Sequence, residues 1–196
     1  ASGGPGPGPA TFESSSAGVK WVVNGLTALV NLGRGPEGGG ADDARDLAGP
    51  ALAPREVLEG LRGDFTERSY LFTGEISSGL YASACSFTDP TMSFQGLQTF
   101  ETNLKNLKPV LDAVLAVGDV TLFGIELDEA RREVTARWRM YGELRLPWRP
   151  VIDLTGRTVF TYDPRRGGRV VDYSEEWDIP AGEAVMQLLQ GGGARR

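Results

Sequence analysis

The feature that most constrains the fold is a change of hydrophobic period near Gly118. Before this glycine, apolar residues recur every three or four positions, which is typical of one face of an α-helix. These residues are Leu97, Phe100, Leu104, Leu107, Leu111 and Leu115. After it, Val134, Ala136, Trp138 and Met140 alternate with polar residues, as in a strand that buries one face. Helices first and an antiparallel meander afterwards predict an α+β fold, with the helices packed on one face of a curved sheet.

The same patterns place the individual elements. We predict helices over about 55–73 and 77–85, and Ser77 can cap the second. A long third helix follows, with a bend at Pro109, and a last helix begins at Pro180. Two hairpins complete the predicted sheet, because turn-forming residues separate two pairs of alternating segments. The paired segments are 119–127 with 132–141, and 157–162 with 169–177.

Residues 1–54 differ in composition from the rest of the chain, since they hold 12 of the 27 glycines and 6 of the 12 prolines. Such a segment buries too little apolar surface to offset the entropy of ordering, so we expect a flexible extension. The folded domain is predicted over residues 55–190, and residues 191–196 are predicted to form a flexible tail.

One part of the extension has a different pattern. Apolar residues at helical spacing predict an amphipathic helix over about 17–32, too short to span a bilayer. An isolated helix of this length is marginal in water, so we expect it to dock on its own domain, on a partner protein or on a membrane surface. The residues expected to make that contact are Val19, Trp21, Val22, Val23, Leu26 and Val30.

Several functional classes are made improbable by residues that the chain lacks. Histidine is absent, which removes the usual imidazole base and the commonest transition-metal ligand. A single cysteine, Cys85, excludes an internal disulfide and a cysteine-based metal site, and we interpret it as a small buried apolar group. The net charge of −6 argues against a general nucleic-acid-binding protein. We therefore expect no metal and no cofactor.

Three motifs occur in a recognisable order: Phe-x-Asp-Pro at 87–90, Leu-Pro-Trp-Arg-Pro at 146–150 and Ser-x-x-Trp-x-Ile at 174–179. Their order resembles the plant and algal domain-of-unknown-function family 2358, within the nuclear transport factor 2-like superfamily. The resemblance covers about residues 55–190. It implies a cone-shaped α+β fold with a pocket at its open end and the 146–150 run at its mouth. It also implies a chloroplast location, in the stroma or associated with the thylakoid, after removal of a transit peptide.

Enzymes of that superfamily place an acid, a base or a tyrosine in the pocket. The corresponding candidates here are Tyr81, Asp89, Tyr162, Tyr173 and Glu175. Each has a structural alternative. Asp89 can fix the turn before Pro90, the tyrosines can pack in the core, and Glu175 can pair with an arginine.

The surface offers a second set of candidates. Ten arginines lie between residues 131 and 169, where there are four acidic residues. Arginine and tryptophan are enriched in binding hot spots, so we consider a partner-binding surface beside two alternatives: ion pairing within the chain, and covering of the core by Trp148. The candidates are Arg137, Arg139, Trp148, Arg149, Arg165 and Arg166.

The favoured functional hypothesis is a non-catalytic interaction or assembly protein of a larger chloroplast complex, with peripheral membrane contact through residues 17–32 as an option. The alternative is a protein that binds a small molecule, or an enzyme of the isomerase or dehydratase type, using the cone pocket. A deep apolar cavity with Asp89 or Glu175 pointing inward favours the enzyme. A cavity filled by Trp138, Phe160 and Trp177 favours the interaction protein.

Overall fold

A computed structural model describes residues 46–47 and 49–191, and its centre is a curved sheet of six strands. The strands are β1 (Tyr81–Thr88), β2 (Ser93–Gln95), β3 (Leu115–Asp128), β4 (Glu133–Leu144), β5 (Val151–Asp163) and β6 (Arg169–Trp177). They lie side by side in the order β2-β1-β6-β5-β4-β3. All neighbours are antiparallel except β1 and β6, which are parallel. The predicted α+β architecture is therefore confirmed, with one parallel pair that periodicity did not indicate.

Four α-helices lie wholly within the described residues: α1 (Pro54–Thr66), α2 (Tyr70–Thr73), α3 (Leu97–Val114) and α4 (Ala181–Leu189). Pro54 suits the first turn of α1, and the Glu56 carboxylate accepts a hydrogen bond from the Ala53 N–H at 2.7 Å. The apolar stripe of α1 is fully covered, because Val57, Leu61 and Phe65 are each at most 1% exposed. This helix therefore anchors the helical layer to the core.

The predicted continuous helix over residues 55–73 is wrong at Ser69. This residue has a left-handed backbone (φ 48°, ψ 48°), which ends α1 and starts α2 in a new direction. The change of direction brings Tyr70 back into the core, where its ring meets Phe65 edge to face at 5.0 Å. Burial of one aromatic ring thus outweighs the helical preference of the intervening residues.

The predicted helix over 77–85 is also wrong. Residues Ser78–Leu80 form one turn of 3₁₀ helix, and strand β1 begins at Tyr81. Small residues in this segment tolerate helix or strand, so the choice is made by tertiary pairing. Phe87 pairs with Tyr173 of β6 in parallel and with Phe94 of β2 in antiparallel register. The partner on β6 is distant in sequence, which explains why a local pattern missed it.

Both predicted hairpins are confirmed; β3, β4 and β5 are longer than the patterns indicated, and β6 has the predicted bounds. Strands β3 and β4 pair across a turn in which Arg132 has φ 60°. Strands β5 and β6 pair across a turn that Asp163 stabilises by accepting the Arg165 N–H at 2.9 Å. Gly167 and Gly168 complete that turn with φ of 65° and 73°, a conformation that favours glycine.

The core lies between α1 and the inward face of β4, β5 and β6. Trp138 is 1% exposed, and its indole N–H donates to the Thr158 hydroxyl at 2.9 Å, so its polar atom is satisfied inside the core. Phe160 meets Phe65 and Tyr173 edge to face at 6.4 and 5.2 Å. Cys85 is fully buried and burial raises the pKa of its thiol, which fits its interpretation as a small apolar group.

The predicted extension helix over 17–32 and most of the extension and tail lie outside the described residues. Among the residues that the structure does describe, no helix has the length and apolar character needed to cross a membrane.

Candidate functional site

An apolar cavity of about 350 Å³ lies between α3, α4 and the inward face of the sheet. Leu104, Leu107 and Leu111 of α3 form one wall. They continue the stripe that predicted the helix, and all three are only half-buried. Since pockets for small molecules span roughly 300–1,000 Å³, the cavity has the size of a binding site.

The opposite wall comes from the sheet and from α4. Met140, Ile152 and Leu154 project from β4 and β5, and Val185 and Leu188 project from α4. Short links hold α4 in place. The Gln187 side chain accepts the Asp153 N–H at 2.8 Å and donates to the Asp153 carbonyl at 3.1 Å. The final helix therefore covers part of the cavity and is fastened to the sheet beneath it.

Aromatic rings line the cavity where it meets β1. Phe87 stacks on Phe100 with 4.1 Å between ring centroids, and the Phe94 ring lies 5.5 Å from Phe87 and 6.1 Å from Phe100. Tyr173 completes this wall, 5.8 Å from Phe100. All four residues line the cavity, so a bound molecule would contact aromatic surface here.

Asp89 lines the cavity, but its side chain holds a turn. One carboxylate oxygen accepts hydrogen bonds from the Thr91 N–H and hydroxyl, both at 2.6 Å, and from the Met92 N–H at 2.9 Å. This geometry positions the β1–β2 connection, as expected of Asp before Pro. Asp89 therefore has the role given above as its structural alternative, which is to fix the turn at Pro90.

Glu175 belongs to a buried hydrogen-bond network behind the cavity wall. Its carboxylate accepts from the Tyr173 hydroxyl and from the Trp177 indole N–H, the latter at 2.6 Å. The Tyr173 hydroxyl also lies 2.9 Å from the Tyr70 hydroxyl. The predicted arginine pairing of Glu175 is wrong, because β6 turns this face toward the apolar core, where aromatic donors take the place of a guanidinium.

The electrostatics of this network favour a carboxyl group that titrates near neutral pH. Burial raises the pKa of Glu175 to about 7, although the hydrogen bonds from Tyr173 and Trp177 oppose the shift. Burial also raises the pKa of the Tyr70 and Tyr173 hydroxyls well above their ordinary value, so both stay protonated. The network thus holds one group that can exchange a proton near pH 7.

Two of the predicted pocket residues lie elsewhere. Tyr81 is buried against Phe87 and Phe100, and Tyr162 is buried on β5, and neither lines the cavity. The structure brings Asp89 and Tyr173 to the cavity and places Glu175 directly behind it. Trp177, one of three residues that would favour the interaction protein if they filled the cavity, forms part of its lining.

Asn103 is a cavity residue that the sequence prediction did not name. It is 9% exposed, it lines the cavity, and its amide nitrogen has no hydrogen-bond partner within residues 46–47 and 49–191. A signal was present, because Asn103 lies on the same helical face as Phe100 and Leu107, where the stripe would otherwise be apolar.

Most surface candidates are engaged within the chain. Arg139 forms a bidentate pair with Asp153 at 2.7 and 2.8 Å. Other pairs join Arg149 to Glu143 at 3.8 Å, Arg165 to Asp163 at 3.3 Å and Arg166 to Asp46 at 3.6 Å. The Trp148 indole N–H donates to the Leu188 carbonyl at 2.9 Å, which ties the 146–150 run to α4. Arg137 is exposed beside Arg157 of the neighbouring strand.

Comparison with known proteins places this geometry in a family. The model of the family described as "Uncharacterized conserved protein (DUF2358)" matches residues 55–170. No curated protein matches the chain in sequence.

Two solved structures illustrate the shared fold. The BvnE pinacolase of Penicillium brevicompactum is 16% identical with a TM-score of 0.50, over 72% of this chain and 95% of that chain. An NTF2-like protein from Burkholderia thailandensis is 14% identical with a TM-score of 0.50, over 71% and 98%. At sequence identities this low, structural similarity shows a shared fold only, so the activity has to be argued from the site. The chain belongs to the DUF2358 family and has the cone-shaped α+β fold of the nuclear transport factor 2-like proteins.

Proposed function

We propose that this chain binds an apolar small molecule in the cavity beside α3. The observation that carries this proposal is the half-buried leucine wall of Leu104, Leu107 and Leu111, which faces open space inside the cone. Fully burying one such side chain is worth about 1.5–3 kcal/mol. A ligand that covers all three would therefore gain a substantial part of its affinity from this wall alone.

The lining supports an apolar ligand in a second way. Phe87, Phe100 and Tyr173 offer ring surface to the cavity, and Met140 offers an adaptable side chain. By contrast, the surface candidates Arg139 and Trp148 use their polar groups within the chain. The predicted role in a chloroplast complex stays a prediction, and its residues in the extension lie outside the described part.

A second candidate function is proton transfer at a bound carbonyl compound. It is favoured by the Glu175 carboxyl group, whose pKa of about 7 suits an acid–base catalyst, and by its hydrogen bond to Tyr173 in the cavity wall. Glu175 itself does not line the cavity. Because the carboxyl group lies one side chain behind the wall, binding takes precedence over catalysis in our proposal.

Titration of the full chain with α-methylstyrene, followed by two-dimensional NMR, tests the binding proposal. We expect saturable shifts of the methyl signals of Leu111 and Leu154, which both line the cavity. Leu107→Trp should weaken them strongly, because the larger indole side chain takes up part of the cavity. Asn106→Trp, which adds the same bulk to the exposed side of α3, should leave them intact. Absence of saturable shifts in the wild-type chain, or equal shifts in Leu107→Trp, would contradict binding in this cavity.

Hydrogen exchange at a ketone tests the second candidate. If a base removes a proton next to the carbonyl, the methyl protons of acetophenone in D₂O should exchange with solvent faster in the presence of the protein than in buffer alone. Glu175→Gln should return the rate to that of buffer, and the exposed Glu176→Gln serves as the matched control. A wild-type rate equal to buffer would rule out this catalysis and leave the binding proposal unchanged.

A further inference from the structure

Asn103 is an unusual residue for its position on α3. Its side chain is nine-tenths buried among Phe100, Leu104 and Leu107, which are apolar cavity residues of the same helix. Leucine at this position would continue the stripe without any polar requirement. Asparagine instead brings an amide group whose two N–H donors need acceptors when buried.

The amide nitrogen of Asn103 has no such acceptor in the part of the chain that the structure describes. Buried polar groups in native proteins almost always have a partner, and an unmatched donor is destabilising. The nitrogen itself has almost no accessible surface, but a half-turn of the amide about χ2 exchanges its nitrogen and oxygen. Because Asn103 lines the cavity, a molecule bound there can then supply the missing acceptor.

The charge around the cavity restricts the kind of acceptor. Its described lining includes no lysine or arginine, and its one charged residue is Asp89, a carboxylate. A ligand carboxylate or phosphate would therefore enter an apolar cavity without a counter-ion and beside a negative group. Burying an unpaired charge is strongly unfavourable, so anionic ligands such as fatty-acid carboxylates are disfavoured.

We propose that the ligand is an uncharged molecule with an apolar body and a carbonyl-type oxygen that accepts a hydrogen bond from the Asn103 amide. This inference rests on the proposed function, since it specifies which apolar molecules the cavity selects. Asn103 then acts as the residue that determines specificity, while the leucine and aromatic walls bind the apolar body.

Three probes of almost identical shape test the proposal. Acetophenone has the oxygen, α-methylstyrene replaces that oxygen by a methylene group, and benzoate adds a negative charge. With the full wild-type chain, we expect acetophenone to bind about fivefold more tightly than α-methylstyrene, which is the worth of one typical hydrogen bond. Benzoate should bind at least about tenfold more weakly than acetophenone at pH 8. The Asn103 side-chain amide signal should move with acetophenone, and that of exposed Asn106 should not.

Substitutions test whether Asn103 is responsible for the preference for acetophenone over α-methylstyrene. Asn103→Leu should remove the advantage of acetophenone while keeping the affinity for α-methylstyrene. Asn106→Leu, the same substitution one turn away on the exposed face, should keep it. If Asn103→Leu does not fold, Asn103→Asp replaces the donors by an acceptor and should also lose the advantage.

The outcomes separate this inference from the proposed function. If wild type binds acetophenone and α-methylstyrene equally, or if Asn103→Leu keeps the preference, the assignment of Asn103 is wrong although the cavity still binds apolar molecules. If benzoate binds as tightly as acetophenone, the restriction to uncharged ligands is wrong. If none of the three probes binds, the proposed function itself fails and the inference fails with it.

Discussion

The two ends of the space between the helices and the sheet are filled differently. Toward α1, Phe65, Trp138 and Phe160 are at most 1% exposed and belong to one core cluster, in which the rings of Phe65 and Phe160 meet edge to face. Toward α3, a helix with an equally regular apolar stripe, Leu107 and Leu111 remain half-buried beside a cavity of about 350 Å³. A regular apolar stripe on a helix can therefore be packed against the sheet or left half-buried beside a cavity. The side chains that face the stripe determine which of the two occurs.

The largest expected effect contrasts truncations at the two ends. Phe160→Ala should lower the free energy of unfolding by about 3–5 kcal/mol, because it opens a void in a closed core. Leu107→Ala should lower it by about 1 kcal/mol or less, since this side chain is half-buried and adjoins existing space. Urea denaturation of both variants measures the difference. Similar losses would mean that the two ends are packed alike.

The Glu175 network gives a prediction about pH. The pKa of Glu175 is raised from 4.5 to about 7 on folding, so the folded state holds the proton more tightly. Stability should therefore fall as pH rises from about 4.5 through 7, by about 3 kcal/mol in total from this group. In Glu175→Gln the amide oxygen can accept from the Trp177 N–H, and the amide NH₂ can donate to the Tyr173 hydroxyl. The variant should lose this dependence and be more stable than wild type at pH 8.

Denaturation curves between pH 4 and pH 8 check this expectation. The exposed neighbour Glu176→Gln is the matched control and should retain the wild-type slope. If Glu175→Gln shows the same dependence of stability on pH as the wild type, Glu175 has no raised pKa in the folded state and the prediction is wrong.

The smallest expected effect concerns the cover of the cavity. Gln187→Ala removes two hydrogen bonds to the Asp153 backbone and should lower stability by about 1 kcal/mol. Because α4 lines the cavity, the same change should also increase the rate at which a bound ligand is released. Stopped-flow release of acetophenone measures this, with the exposed Gln190→Ala as control. Equal release rates would show that α4 does not limit access.

The sequence predicted the elements whose signal is local. The leucine spacing of α3 and the alternation around Trp138 gave the long helix and a buried strand correctly. Strand β1 was missed because its identity comes from parallel pairing with β6, a contact distant along the chain. The break at Ser69 was missed for a similar reason, since it serves the docking of Tyr70.

The site was predictable in part. Asp89 and Tyr173 were named from their motifs and do line the cavity, and Asp89 takes the turn role given as its alternative. The partners of Glu175 were not predictable, because an inward strand face can present arginine or aromatic donors equally well. Asn103 was visible as a polar residue in an apolar stripe. Its amide nitrogen lacks a partner within residues 46–47 and 49–191, and that depends on what surrounds it in three dimensions.

The most direct test of the central claim is a crystal structure of the full chain under xenon pressure. Xenon enters dry apolar cavities that are large enough to hold it. We predict xenon density between Leu107 and Leu111 of α3 and Leu154 of β5, with none in the packed end around Phe160. A structure in which side chains close this space, or in which ordered water fills it, would contradict the proposal that the cone holds a site for apolar molecules.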